Sequence, residues 1–313
     1  MLFLLWICVS PITAQTATFT SQDISVARYL GNRKAAVSYT FDDGLEEHYT
    51  LVFPQLEKRG LKASFCIIGS KVGRDQKGTP CMTWDQLGKM ADHGQEITSH
   101  GWGHRSVAGL TDEELRHEVQ RNDTAIYQHT GIFPRTYFYP GNRKTDSAVA
   151  FCSQNRVGTR TRQISIGSKR DTTWLRHWIA DLLESGEWGV GMTPGITRGY
   201  DAFRDPQTLW SHLDYVVTLQ DRLWIGRFCD VAAYIKERDS TKLKIRTGRR
   251  HTVIQPSCPL DKRIFTMPLT LTVRTGNQLQ AVQDGHQLTV SQKGGLSVFN
   301  FNPFGGAIRI SLR

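Results

Sequence analysis

The chain has 313 residues, a formal net charge of +10 and 39% hydrophobic residues. That supports a sizeable core, argues against disorder and predicts one large domain with a smaller companion. The basic residues are scattered, with only short clusters such as 242–250, which describes a solvated basic face, and no nucleic-acid partner is expected. No GxGxxG or GxxxxGK[ST] stretch follows a strand-like run, which sets aside the common dinucleotide and phosphate cradles.

The first fourteen residues read MLFLLWICVSPITA. They are uncharged, apolar and shorter than the roughly 20 residues of a bilayer span. The pattern predicts a signal peptide over 1–14, cleaved near Ala14 and Gln15, and therefore an exported protein. No other stretch is long enough to cross a membrane. Of the six cysteines, Cys8 leaves with the leader, and Cys66, Cys81, Cys152, Cys229 and Cys258 remain. They contain no CxxC pair, so a thiolate zinc site is not expected, and buried thiols are the default.

From about residue 26 to 239, short apolar runs alternate with helical patterns. Strands are predicted at 35–39, 63–68, Glu96–Ser99, 136–139, 189–192 and 223–228. The clearest helix runs over 111–127, opened by the capping-box pair Thr111 and Glu114. Further helices are predicted at 205–219 and 230–238. Such alternation implies a parallel sheet or barrel, with reactive residues gathered after the strands. Beyond 240 the pattern changes to short alternating runs at 269–273, 287–290 and 307–310, separated by turns. This predicts a small all-β unit over 240–313 that leans on the main domain. Phe299, Phe301 and Phe304 are close enough in sequence to form its core.

Four segments carry chemistry. Thr40-Phe41-Asp42-Asp43-Gly44 follows the first strand. Two adjacent carboxylates at a strand end need a cation or hydrogen bonds to offset their cost, although an ordinary Asp-Gly turn reads the same way. His100 and His104 follow the 96–99 strand at a spacing that can converge on one cation; two surface loop histidines are the plainer reading. A carboxylate with this pair makes a two-His, one-carboxylate set that leaves room for water and substrate. Tyr139-Pro140-Gly141 ends another strand in a turn whose exposed N–H can donate to an oxyanion, though by itself it reads as an ordinary strand-to-helix turn. Residues 188–196, WGVGMTPGI, read as a buried strand and turn.

In this order, TFDDG, the His100/His104 pair and the Tyr139-Pro140-Gly141 turn resemble the motifs of the polysaccharide deacetylase family, carbohydrate esterase family 4, over roughly residues 30–240. The resemblance implies an α/β fold: a distorted, incomplete (β/α) barrel, here with a small C-terminal all-β appendage. The corresponding division is a leader over 1–14, a barrel over 26–239 and a β unit over 240–313. It implies that Asp43, His100 and His104 bind a divalent metal, often zinc, and that Asp42 is the general base. Pro140 has no N–H, so Gly141 becomes the candidate oxyanion donor. The implied partner is an acetylated glycan, N- or O-linked, releasing acetate.

Two positions depart from the family pattern. The Arg that orients the base in the third motif is replaced by Tyr137 or Phe138, with Arg143, Arg160 or Arg162 as possible substitutes. Pro194 stands where the fifth motif carries its acid His, and proline cannot protonate a leaving amine. General acid catalysis contributes typically about 10²–10⁴-fold, so slow turnover that favours O-acetyl esters is expected. His177 and His212 are the unplaced histidines, each more simply read as structural. The competing reading is a metal-retaining, glycan-binding protein without activity, with Trp102, Tyr137 and Tyr139 stacking on sugar rings.

Overall fold

The computed structural model describes residues 20, 22–75, 78–248 and 251–312. The proposed leader at 1–14 lies outside the described residues, as does the Cys8 it contains. No helix of the described part is long and apolar enough to cross a membrane.

Strand β1 (Ile24–Val26) precedes the main sheet. That sheet comprises β2 (Ala35–Phe41), β3 (Ser64–Ile67), β4 (Glu96–Ser99), β5 (Thr136–Phe138), β6 (Gly158–Arg160), β7 (Ile164–Ser165) and β8 (Trp188–Thr193), with β9 (Leu223–Ile225) beside the start of β2. The order is β6-β5-β4-β3-β2-β8-β7 and every pairing is parallel. This is a curled half-barrel with helices outside, the incomplete (β/α) barrel that the resemblance implies. All seven residues of β2 are buried, as a central strand covered on both faces requires. One face meets the outer helices through Leu56, Leu87, Ile179 and Leu213; Cys66, Phe138, Val190 and Phe228 cluster separately.

The capping box at Thr111 and Glu114 is formed. It starts a continuous helical run from Asp112 to Thr130, interrupted by a π-helical turn at Arg116–Gln120. Two boundaries differ from expectation. The last barrel strand stops at Ile225, and Phe228 already opens the helix Phe228–Ser240. The run at 287–290 contributes only His286–Gln287 as strand.

After the barrel come β10 (Lys242–Thr247), β11 (Thr252–Ser257), β12 (Leu269–Arg274), β13 (Leu279–Gln283), β14 (His286–Gln287), β15 (Ser291–Lys293), β16 (Leu296–Phe301) and β17 (Ile308–Leu312). They form two antiparallel sheets, β10-β11-β17-β13-β14 and β1-β12-β16-β15. Strand β1 therefore joins a partner from the far end of the chain, with Ile24 opposite Val273 and Val26 opposite Leu271. The expected start of the barrel at 26 falls inside this strand. Phe299 and Phe301 pack with Leu269, Leu271, Ile308 and Ile310, and the same cluster includes Trp224, Val231 and Tyr234 of the barrel. Phe304 instead packs beside Val157, Cys229 and Phe265, so the expected three-Phe core holds for two of its members. The shared cluster explains how a unit of this size is stabilised: it borrows apolar surface from its neighbour.

Candidate metal and hydrolytic site

The candidate residues collect at the C-terminal ends of parallel strands. Asp42 and Asp43 follow β2, His100 follows β4, Pro140 and Gly141 follow β5, Arg160 ends β6 and Pro194 follows β8. Parallel pairing places these ends along one rim, and that rim is where strand–helix loops can converge.

The Asp43 carboxylate lies 3.6 Å from His100 Nε2 and 3.4 Å from His104 Nε2. One donor atom of each lies within 4.8 Å of the others. Both Asp43 (φ 73°) and His104 (φ 61°) adopt the left-handed backbone conformation, uncommon outside glycine and concentrated at functional sites. His100 Nδ1 is 2.8 Å from the Phe138 carbonyl. A carbonyl only accepts, so Nδ1 carries the proton and Nε2 presents its lone pair toward Asp43. Burial pushes both His100 and His104 down from the ordinary imidazole value, which keeps them neutral. Burial also pushes the Asp43 carboxyl up; His100 pulls it down and the Asp42 charge pushes it up again. Two neutral imidazoles and a carboxylate fit a divalent metal.

Asp42 is placed differently. It is 6% exposed, and Arg160 donates to both of its oxygens, Nη1 to Oδ1 at 2.7 Å and Nη2 to Oδ2 at 2.5 Å. Arg160 also donates to the Thr40 hydroxyl at 2.7 Å and lies 4.2 Å over the Phe138 ring. Burial pushes the Asp42 carboxyl up, but the Arg160 charge and hydrogen bonds outweigh it and hold it at about 2. Cys66 donates from Sγ to Asp42 Oδ1 at 3.2 Å. Asp42, Cys66 and His100 form a second trio of close donor atoms. Burial, reinforced by Asp42, pushes the Cys66 thiol well above its ordinary range. A protonated thiol and a carboxylate already claimed by guanidinium do not make a cation site. The cation fits on the Asp43 side.

Arg160 is thus the one among Arg143, Arg160 and Arg162 that reaches Asp42; the other two are exposed. Gly141 sits at φ 60°, exposed at the turn after β5. Pro194 carries a carbonyl that accepts from His48 Nε2 at 2.7 Å. His48 is fully buried among Phe41 and Phe65, and burial pushes it down to about 4. His212 bonds the Tyr39 hydroxyl at 2.7 Å and is likewise pushed down to about 4 by burial. His177 is exposed on the helix Thr172–Ser185.

The aromatic expectation needs correction. Tyr137 and Tyr139 are 0% and 1% exposed, so neither offers a face to a sugar ring. They pack instead with Val107, Leu115 and Val119. Trp102 lies under the Arg121 guanidinium, 3.9 Å from its ring centroid. Sequence reasoning overlooked Cys66 as a neighbour of Asp42; its place in a buried strand directly beside β2 was the available signal. Cys66, Cys81, Cys152, Cys229 and Cys258 form no disulfide among the described residues.

Residues 30–158 match the family model for polysaccharide deacetylase. The chain is 29% identical over 139 residues to YxkH of Bacillus subtilis, a protein assigned to the polysaccharide deacetylases, covering 43% of this chain and 47% of that one. It is 30% identical over 137 residues to the peptidoglycan-N-acetylmuramic acid deacetylase PdaA of Bacillus subtilis, covering 43% and 49%. The chain thus matches about half the length of each of these relatives. A crystal structure of a Mycobacterium smegmatis protein of the same assignment superposes with a TM-score of 0.52 at 14% identity, over 69% of this chain and 94% of that one. That likeness concerns the fold.

Proposed function

We propose that this chain, whose residues 30–158 match the polysaccharide deacetylase family model, hydrolyses acetyl groups, N- or O-linked, from a glycan. The observation that carries the reading is the convergence of Asp43, His100 and His104 within 4.8 Å. These three would hold a divalent cation, zinc being well suited to the donor set. When bound, the cation supplies Lewis acidity toward a carbonyl and lowers the pKa of water. Asp42 stays ionised through the physiological range and accepts a proton from the attacking water. Arg160 fixes the direction of that carboxylate, and the Gly141 N–H donates to the oxyanion that develops on the acetyl carbonyl.

The leaving group is handled less well. Pro194 has no proton to give, and the His48 ring beside it serves the Pro194 carbonyl. An alkoxide leaves an acetyl ester more readily than an amide anion leaves an N-acetyl group, so esters are the better substrates. Pro194 also favours a second reading, a glycan-binding protein that retains its metal and has lost turnover. The apolar stretch at 1–14 supports export, and with it a glycan outside the cell or in its wall.

The deciding experiment follows acetate release from a panel of O- and N-acetylated glycans with zinc or cobalt present. Metal-dependent release, faster from esters, is expected. Metal binding without release, from both the native protein and P194H, would establish the second reading instead.

A further inference from the structure

A buried carboxylate needs partners that offset its lost hydration. Glu118 is 1% exposed, inside the π-helical turn of the Asp112–Thr130 run, and what meets it is the backbone of the metal-site loop. Its Oε1 accepts from Gly103 N at 2.8 Å and from Arg105 N at 3.0 Å. Its carbonyl accepts from Trp102 N at 2.8 Å. The two N–H groups bound by the carboxylate straddle His104, whose φ of 61° is strained for a residue with a side chain unless its surroundings hold it.

The spacing His-Gly-Trp-Gly-His follows from this contact. A Cβ at residue 101 would lie 2.8 Å from Glu118 Oε1, and one at 103 would lie 3.4 Å from Oε2. Gly101 leaves the space the carboxylate fills, while a Cβ at 103 would sit in ordinary contact with it. The indole between them is fixed on its own account, lying under Arg121 and so close to Gly69 that a Cβ there would meet it at 2.7 Å. A π turn breaks the ordinary helical ladder and recurs at functional sites. Here it presents both the side chain and the carbonyl of one residue to one loop.

We propose that Glu118 is a positioning residue that sets the divalent-cation affinity of Asp43, His100 and His104 by holding His104 in its left-handed conformation. This rests on the metal reading above. Glu118 hydrogen-bonds the backbone on either side of His104 rather than its side chain; its charge also acts on the His104 ring. Asp43 and His100 are held by their own strands and stay in place without it, so its loss weakens the site rather than dismantling the barrel.

The test is cobalt titration of the full chain, followed by visible absorption, for the native protein, E118A and E118Q. Outer partners of metal ligands typically set affinity by about 10–100-fold, and E118A is expected to lose that much. E118Q keeps an acceptor oxygen for the two N–H groups and is expected to regain most of it. Should E118A not fold, E118D carries the test, since its carboxylate is one methylene short of the loop and the same loss is expected. Native cobalt affinity in E118A or E118D overturns the proposal. So does equal loss in E118A and E118Q accompanied by equal loss of metal-free thermal stability, which describes a general structural role. A native protein that binds no cobalt removes the metal reading itself, and this proposal with it; cobalt binding that is indifferent to Glu118 removes only this proposal.

Discussion

Arg160 lays its guanidinium across both carboxylate oxygens of Asp42, 118 positions away in sequence. Both are buried, so each offsets the other's lost hydration. The arginine that pairs with Asp42 arrives from the end of β6, while the expected position at the end of β5 is filled by the buried Tyr137 and Phe138.

Breaking that pair exposes its cost. In R160M, Asp42 is left buried without its cation, and removing one partner of a buried pair costs about 3–5 kcal/mol. Urea denaturation is expected to show a loss of that order, and D42N/R160M to recover part of it. Additive losses in the double variant would mean that the two side chains do not stabilise each other.

Chelation provides the second check. Acetate release is expected to stop with a strong chelator and return with zinc or cobalt. D43A and H104A remove ligands from a three-donor set, so added metal is expected to leave them inactive at concentrations that restore the native protein. Release that persists through chelation would mean that hydrolysis proceeds elsewhere.

In the proposed reaction, position 194 stands where a leaving-group acid would act. P194H places an imidazole after β8, and a general acid is worth about 10²–10⁴-fold. Acetate release is expected to rise, more on N-acetyl than on O-acetyl substrates of matched sugar. The His48 contact is kept in P194H, since the carbonyl at 194 remains available to His48 Nε2. Equal gains on esters and amides would show that the new imidazole does not protonate the leaving group.

Glu237 links stability to pH away from the site. It is fully buried on the helix Phe228–Ser240, its Oε1 accepts from Met267 N at 2.9 Å, and Oε2 has no hydrogen-bond partner. Burial pushes its carboxyl up from 4.5 to about 7. The folded state therefore holds this proton more tightly than the unfolded chain. This contribution to stability is present in full below 4.5 and is lost as pH rises toward 7. E237Q, which keeps the acceptor for Met267, is expected to flatten the fall in thermal midpoint across that window. An unchanged slope in E237Q would assign the pH dependence to other groups.

Much of this protein was legible from local pattern. Apolar runs ending in Gly, Pro or polar residues mark strands because a buried parallel strand must be apolar on both faces, and the 35–39 and 96–99 runs are found as β2 and β4. Thr111 and Glu114 mark a helix start because the capping box is made within four residues. Asp42, Asp43, His100 and His104 stood out because the groups that must act together follow strands directly.

Lateral placement belongs to the tertiary structure. Nothing in the sequence chooses among Arg143, Arg160 and Arg162; the parallel register of β5 with β6, which sets Phe138 beside Arg160, does. Tyr137 and Tyr139 look like ligand platforms until packing buries them against Leu115 and Val119. Glu118 reads as one more polar helix residue, because a helical pattern carries no record of which loop crosses it. The sequence determines which groups are reactive and which segments are strand or helix, since those depend on near neighbours. Which reactive groups meet depends on strand order, register and burial, and these exist only once the sheet has closed around its core.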